Sequence, residues 1–282
     1  MKKLVLVTLV VLSHLVAVGQ QTEADKYLVT TRTNSLGYVS LQLTDPYLSP
    51  LTYSGDGFDF NHESRRFLSL HNNNISIQHQ YYLVGAIAYN PAGTASMLYF
   101  GANYSFGMQY HFRPAQGWQI LVGGNWDVDF GFKDLTRNIN NPVNLDMATN
   151  LNLSGVIRYD LPLRRRTLRL QLSAETPVVG LMFVPLAGAS YYEMFELGNH
   201  AGLTHFSSLL NKRGINPKLT VDIPFARSTW QVGLAYQHLK YEANDMVFKR
   251  NSFSLMVGTT FDVVSFSGRK KKLSPNFIST NE

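Results

Sequence analysis

The sequence predicts an all-β fold: a transmembrane, antiparallel, up-and-down β-barrel of about ten strands, with eight or twelve as the alternatives. Three observations carry that prediction. Long segments alternate strictly between an apolar face and a polar or small one. Short and long connections between those segments also alternate. The chain opens on a stretch that reads as an export signal.

Taken in order, residues 1–20 form the expected signal peptide. Met1, Lys2 and Lys3 precede an apolar run from Leu4 to Val18, broken by Thr8, Ser13 and His14. Ala17 and Gly19 place small residues two apart, so cleavage is expected after Gly19 or Gln20. An N-terminal membrane anchor is the alternative, and the run is short for a spanning helix. Residues 21–35 are expected as a periplasmic segment, 36–266 as the barrel and 267–282 as a basic, polar C-terminal tail.

The chain has no cysteine, which excludes a lipoprotein anchor, disulfides, thiolate metal sites and cysteine nucleophiles. No later apolar run approaches the length of a membrane helix. The net charge of +6 is scattered or sits at turns, and with export this argues against nucleic acid as a partner.

Two N-terminal strands are expected, Tyr38–Leu43 and Arg65–His71, with Asn72–Asn74 as a turn. The segment Ile75–Ala88 is the least regular, because His79 falls on its presumed lipid face and suggests a bulge. From Leu98 to Phe112 the even positions are Leu98, Phe100, Ala102, Tyr104, Phe106, Met108, Tyr110 and Phe112. Between them lie Tyr99, Gly101, Asn103, Ser105, Gly107, Gln109 and His111. The pattern resumes over Trp118–Phe132, and again in segments starting at Leu151, Leu168, Leu219, Trp230 and Phe253.

The longest runs reach about 15 residues, beyond the roughly nine to eleven a tilted strand needs to cross a bilayer. Strands of soluble folds are usually about five or six residues long. A soluble exported barrel, with its large apolar residues pointing inward, is the alternative. Short connections are expected near Arg113–Gly117, Arg164–Arg166 and Ala226–Ser228. Long ones are expected over Asn90–Ala95, Lys133–Met147, Thr176–Asn216 and Glu242–Arg250. Tyr110, Phe112, Trp118, Phe225 and Trp230 flank the short turns, as an interfacial aromatic girdle does.

Four stretches resemble a family of Bacteroidota outer-membrane proteins that carries only a domain-of-unknown-function label. They are Tyr47–Gly55, Ser190–Asn199, Leu219–Phe225 and Ser252–Phe261. The resemblance implies an outer-membrane barrel from a gut or oral Bacteroidota species. It implies no activity and supplies no catalytic or binding residues.

The polar face gives the candidate site. Asp127, Asp129, Arg158, Asp160, Arg169, Glu175 and Asp222 are expected to face the lumen as an ion-pair network, joined by Lys218 and Asp262. A tight turn at Arg164–Arg165 would set Asp160 opposite Arg169. Buried charges must pair or meet water, so a braced, plugged lumen is expected ahead of a selective channel.

A lipid hydrolase is the contrasting possibility, with weak catalytic candidates His205, Ser207 and Glu193, and His200 and Ser208 nearby. The histidines lack metal-site spacing, so no metal and no cofactor are expected. The long segment 176–216 is expected either as an external lid or folded into the lumen, with Tyr47–Gly55 packed against it. A small-molecule or protein ligand there and a self-packed cap over the barrel are both open, and the stretch 45–62 has no assigned role. The basic run Arg269–Lys272 reads as a solvated tail or a contact for anionic head groups. The barrel is expected to be monomeric, with outer-membrane lipids around it.

Overall fold

The structure, a computed structural model, describes residues 27–68, 74–139, 141–225, 228–263 and 277–280. The signal peptide and Arg269–Lys272 lie outside the described residues, as do Asn72 and Asn73 of the expected turn.

The barrel strands are β2 (Thr30–Asp45), β3 (Ser49–Phe67), β4 (Ile75–Tyr89), β5 (Ser96–Ala115), β6 (Trp118–Asp134) and β7 (Val143–Pro162). They continue with β8 (Thr167–Phe183), β9 (Thr204–Ser208), β10 (Lys212–Ile215), β11 (Lys218–Pro224), β12 (Thr229–Ala243) and β13 (Met246–Val263). Each long strand pairs antiparallel with its sequence neighbour, and β13 pairs with β2 to close the ring. Ten wall positions result, nine long strands and one descending position shared by β9, β10 and β11.

That composite position has a local cause. Pro177 in β8 has no N–H to donate to a ladder. Thr176 Oγ1 instead donates to the Gly214 carbonyl at 2.8 Å. Above this point β9 follows β8, with Val179 opposite Ser208, while β10 follows β12, with Lys212 opposite Tyr241. The turn between them, Leu209–Asn211, is pushed out of the wall, and Leu210 is 88% exposed.

The faces divide as a bilayer-spanning barrel requires. Val122 and Leu234 are 47% and 41% exposed on the outer wall, and Asp127 is buried inside. Trp118 packs on Tyr159 at 4.7 Å and Tyr110 on Phe112 at 4.7 Å beside the short turns, forming part of a girdle.

Several sequence expectations need correction. The first barrel strand begins at Thr30, not residue 36, because Thr30–Ser35 already pair with both β13 and β3. The stretch 45–62 is a tight turn followed by strand, since β3 starts at Ser49. Glu242–Arg250 is a hairpin whose two turn residues, Asn244 and Asp245, take positive φ (50° and 60°), a conformation these residue types tolerate. Lys133–Met147 is strand at both ends, and the connection left over is 135–142. Segment 176–216 likewise contracts to the connection 184–203, which carries the short helix α1 (Tyr191–Phe195).

His79 sits in unbroken register with both neighbouring strands, so no bulge forms there. Its Nδ1 lies 2.9 Å from the Tyr104 hydroxyl and its ring 4.9 Å from Phe106, which satisfies it on the outer wall.

The described residues of the C-terminal tail, 277–280, are held against the barrel. Two residues, β14 (Phe277–Ile278), run parallel to β1 (Tyr27–Leu28). Ser279 and Thr280 are buried, and the Thr280 carbonyl accepts from Arg158 Nη1 at 2.9 Å. This contact draws the C-terminus into the mouth at the short-turn end.

Candidate functional site: a capped, polar lumen

The loop end of the barrel is filled by apolar side chains. Val39, Leu41 and Leu43 of β2, Tyr99 of β5, Met182 of β8 and Phe248 of β13 belong to one buried cluster, although they stand on walls all around the ring. Tyr47, Leu48, Leu135, Val184, Met194 and Leu203 enter the same cluster from the connections. Because opposite walls meet in one core, the mouth is closed by side chains.

Helix α1 is pinned across this mouth. Ser190 caps it, accepting from the Glu193 N–H at 3.2 Å, while its own N–H donates to Glu193 Oε2 at 2.6 Å. The Ser190 N–H, and then its hydroxyl, donate to the Glu193 carboxyl and hold it below its ordinary value. Met194 on the inner side is fully buried. The Tyr191 hydroxyl donates to Asn144 Oδ1 at 2.8 Å and accepts from the Leu145 N–H at 2.8 Å. The Tyr47 hydroxyl donates to the Ala189 carbonyl at 2.9 Å. Burial pushes its titration up to about 12, helped by the charges of Asp45 and Glu193.

Under the cap lies a buried charge cluster. Lys133 Nζ is 2.8 Å from Asp45 Oδ2 and 2.7 Å from Asp146 Oδ2. Asn144 Nδ2 donates to Asp45 at 2.7 Å, and the Tyr241 hydroxyl donates to Asp146 at 2.8 Å. The ammonium also sits 5.7 Å over the Phe248 ring. Every strong partner is supplied, so the cluster ties β2, β6, β7 and β12 together at the base of the cap.

Below it the lumen is a polar chamber lined by residues such as Glu63, Asp127, Asp129, Asn150 and Lys212. Asp127 accepts from the amides of Asn150 and Asn152, each at 2.7 Å, and Asp129 from Asn103 at 2.8 Å. Lys212 reaches Asn150 Oδ1 at 2.8 Å. Glu175 accepts from Asn125 at 3.3 Å and from Ser154 at 3.5 Å. Glu63 pairs with Arg65 at 2.8 Å and with Lys218 at 3.2 Å. Toward the short turns, Arg158 donates to Gln171 at 2.7 Å and Asp222 accepts from Gln231 at 2.8 Å. Arg169 grips Asp160 with two bonds, at 2.7 and 2.9 Å. Asp262 accepts from Thr31 at 2.7 Å.

All seven lumen residues expected from sequence therefore point inward, but only Asp160 and Arg169 pair with each other. The rest are spread down the bore and are answered mostly by asparagine and glutamine amides. Sequence reasoning missed Asp45, Asp146, Lys133, Lys212 and Glu63. Asp45 and Lys133 stand 88 positions apart, and Glu63 and Lys218 155 apart, so only the closed ring brings them together, whereas Glu63–Arg65 and Lys133–Asp146 join near neighbours.

The catalytic candidates are not assembled. Glu193 is engaged by Ser190. His205 Nε2 lies 2.8 Å from the Gly202 carbonyl. Ser207 is buried in the wall opposite Gly180, and Ser208 Oγ accepts from the Leu210 N–H at 3.4 Å. The acid is spent on capping a helix, so it does not orient a histidine toward a serine. Among the described residues no cluster of three or more histidines and carboxylates is arranged for a metal ion.

The chain is similar to the outer membrane protease OmpT from Escherichia coli, at 7% identity and a TM-score of 0.48, covering 86% of this chain and 99% of that one. It is also similar to the transport unit of the autotransporter AIDA-I from Escherichia coli, at 12% identity, a TM-score of 0.44, and 86% and 93% coverage. The β domain of the Bordetella autotransporter BrkA is similar at 10% identity, with a TM-score of 0.41 and coverage of 86% and 100%. No curated protein matches the sequence. Residues 3–270 match the family described as "Protein of unknown function (DUF3316)", and the chain belongs to that family.

Proposed function

We propose that this protein is an exported outer-membrane barrel that does not conduct solutes at rest, and that it acts through its wall and its capped external end. The observation that carries this reading is the apolar core across the loop-end mouth, in which Met194 of α1 meets side chains from opposite walls. An ion or hydrated solute crossing that layer would lose its water without gaining polar partners, at a cost of several kcal/mol. The long, alternating, outwardly greasy strands support the membrane assignment. The lysine-led, cysteine-free leader supports export, and the four resembling stretches support a Bacteroidota source. The polar chamber then serves as an internal brace, since each of its charges has a partner and its amides link neighbouring strands.

The test is electrical. The full chain reconstituted in a planar bilayer is expected to give no discrete conductance steps. A variant lacking residues 186–202, which removes α1 from the mouth, is expected to give them. Stable steps from the intact chain would overturn the proposal.

A further inference from the structure

The outer wall carries a row of cations at the loop end. Arg213 on β10 stands directly opposite Lys240 on β12, and Lys240 directly opposite Lys249 on β13. All three are exposed, and they alternate with the inward residues Lys212, Tyr241 and Phe248. The row continues through Thr44 of β2 and Thr52 of β3, whose hydroxyls bond each other at 2.9 Å. Among the described residues none of the three cations has a carboxylate within ion-pair reach, and Glu242, the next outward residue along β12, makes no ion pair with them.

Like charges directly opposite on adjacent strands repel and destabilise a sheet. An anion held between the three would relieve that repulsion. The surroundings say what kind. Two rows nearer the barrel centre lie the exposed rings of Tyr236 and Phe253, with Leu234 and Leu255 beyond. Beside Arg213, the extruded turn presents Leu209 and Leu210 to the outside, and Arg213 Nε donates to the Leu209 carbonyl at 3.2 Å. An anionic group held by the cations would thus stand above a hydrocarbon-facing surface. Arginine and lysine stems reach down along such a surface while keeping their charge at head-group depth, and they suit phosphate oxygens.

We propose that Arg213, Lys240 and Lys249 form a binding site for the phosphate of a phosphorylated membrane lipid in the leaflet that faces the loops, with its acyl chains lying on Tyr236 and Phe253. The site rests on the barrel crossing a membrane, as proposed above, but not on the mouth being shut. A conducting barrel would leave it standing.

The experiment measures retention of lipid A carrying both phosphates by the full-length chain in detergent, read by native mass spectrometry. Wild-type protein is expected to retain it. R213Q/K240Q/K249Q is expected to lose at least about tenfold in retention, whereas K240R/K249R keeps it, showing that the wall still folds. R32Q/R66Q, which removes exposed arginines near the opposite rim, is expected to behave as wild type. Fully dephosphorylated lipid A is expected not to bind, and millimolar inorganic phosphate not to compete. Undiminished retention in the triple glutamine variant would overturn the proposal, as would equal binding of the dephosphorylated lipid. Displacement by inorganic phosphate would reduce the site to a simple anion site and overturn the lipid assignment.

Discussion

The belt and the cap are built from the same strands with opposite rules. In the belt, β6 sends Trp126, Val128 and Phe130 outward and Asn125, Asp127 and Asp129 inward. On β2 the arrangement starts the same way, with Leu36 and Tyr38 outward and Ser35 and Gly37 inward. Past Tyr38 it reverses. Val39, Leu41 and Leu43 turn in, and Ser40 and Gln42 turn out. β3 follows, with Tyr53 inward and Thr52, Ser54 and Asp56 outward. β13 does the same beyond Phe253, where Lys249 faces out and Phe248 and Met246 face in.

The backbone does not change at these points, so the medium must. The apolar side chains point toward hydrocarbon in the belt and toward the protein's own interior in the cap. On the membrane reading proposed above, the wall formed by β13, β2 and β3 rises from head-group depth into water, while β5–β7 stay in lipid almost to their tips. The cap is an ordinary hydrophobic core seated on an inside-out one.

The largest expected effect tests the joint between the two regions. Lys133→Met leaves Asp45 and Asp146 buried without their cation, and breaking a buried pair costs about 3–5 kcal/mol. Proteolysis of 184–203 is expected to accelerate strongly while the belt stays protected. Within the cap, Leu41→Ala is expected to cost about 2–5 kcal/mol as a core cavity, again read as cleavage in the connections. In the belt, Leu153→Arg on the outer face of β7 is expected to cost about 2–4 kcal/mol in bilayer refolding. Gln42→Arg, outward in the cap wall, is expected to cost less than about 0.5 kcal/mol. Equal costs at Leu153 and Gln42 would erase the distinction between the regions.

The smallest effect concerns α1. The Glu193 carboxyl titrates below its ordinary 4.5 in the folded cap, with the Ser190 N–H as the first cause. A depressed folded value adds stability that is full above 4.5 and disappears as pH falls through the lowered value. Cap proteolysis is therefore expected to rise modestly in acid, and Glu193→Gln to remove that pH dependence.

This reversal also explains what the sequence revealed and what it hid. β5 and β6 were legible because one phase of alternation runs from end to end. β2 was legible only over Tyr38–Leu43 and β3 only at its end from Arg65, because apolar residues switch from even positions (Leu36, Tyr38) to odd ones (Val39, Leu41, Leu43) and a period-two reading sees a broken pattern. β2 starts eight residues before Tyr38, its expected first residue, because Thr30–Ser35 carries no apolar residue to mark a face. In the lumen, the Asp160–Arg169 pair was legible across a tight turn. The Lys133 cluster was not, since Asp45 comes from β2 and reaches Lys133 on β6 only through the closed ring. The catalytic candidates arose because His205, Ser207 and Glu193 lie close in sequence, but a cap and a wall place them in separate roles.

The most direct measurement uses the absence of native cysteine. Nitroxide labels are placed singly through Val122→Cys, Leu234→Cys and Gln42→Cys, and the protein is reconstituted in bilayers for accessibility by electron spin resonance. Labels at Val122 and Leu234 are expected to collide with oxygen and be shielded from a water-soluble nickel complex, and the label at Gln42 to show the opposite. Nickel access at Val122 and Leu234 equal to that at Gln42 would contradict a barrel that meets lipid along its belt and water around its cap.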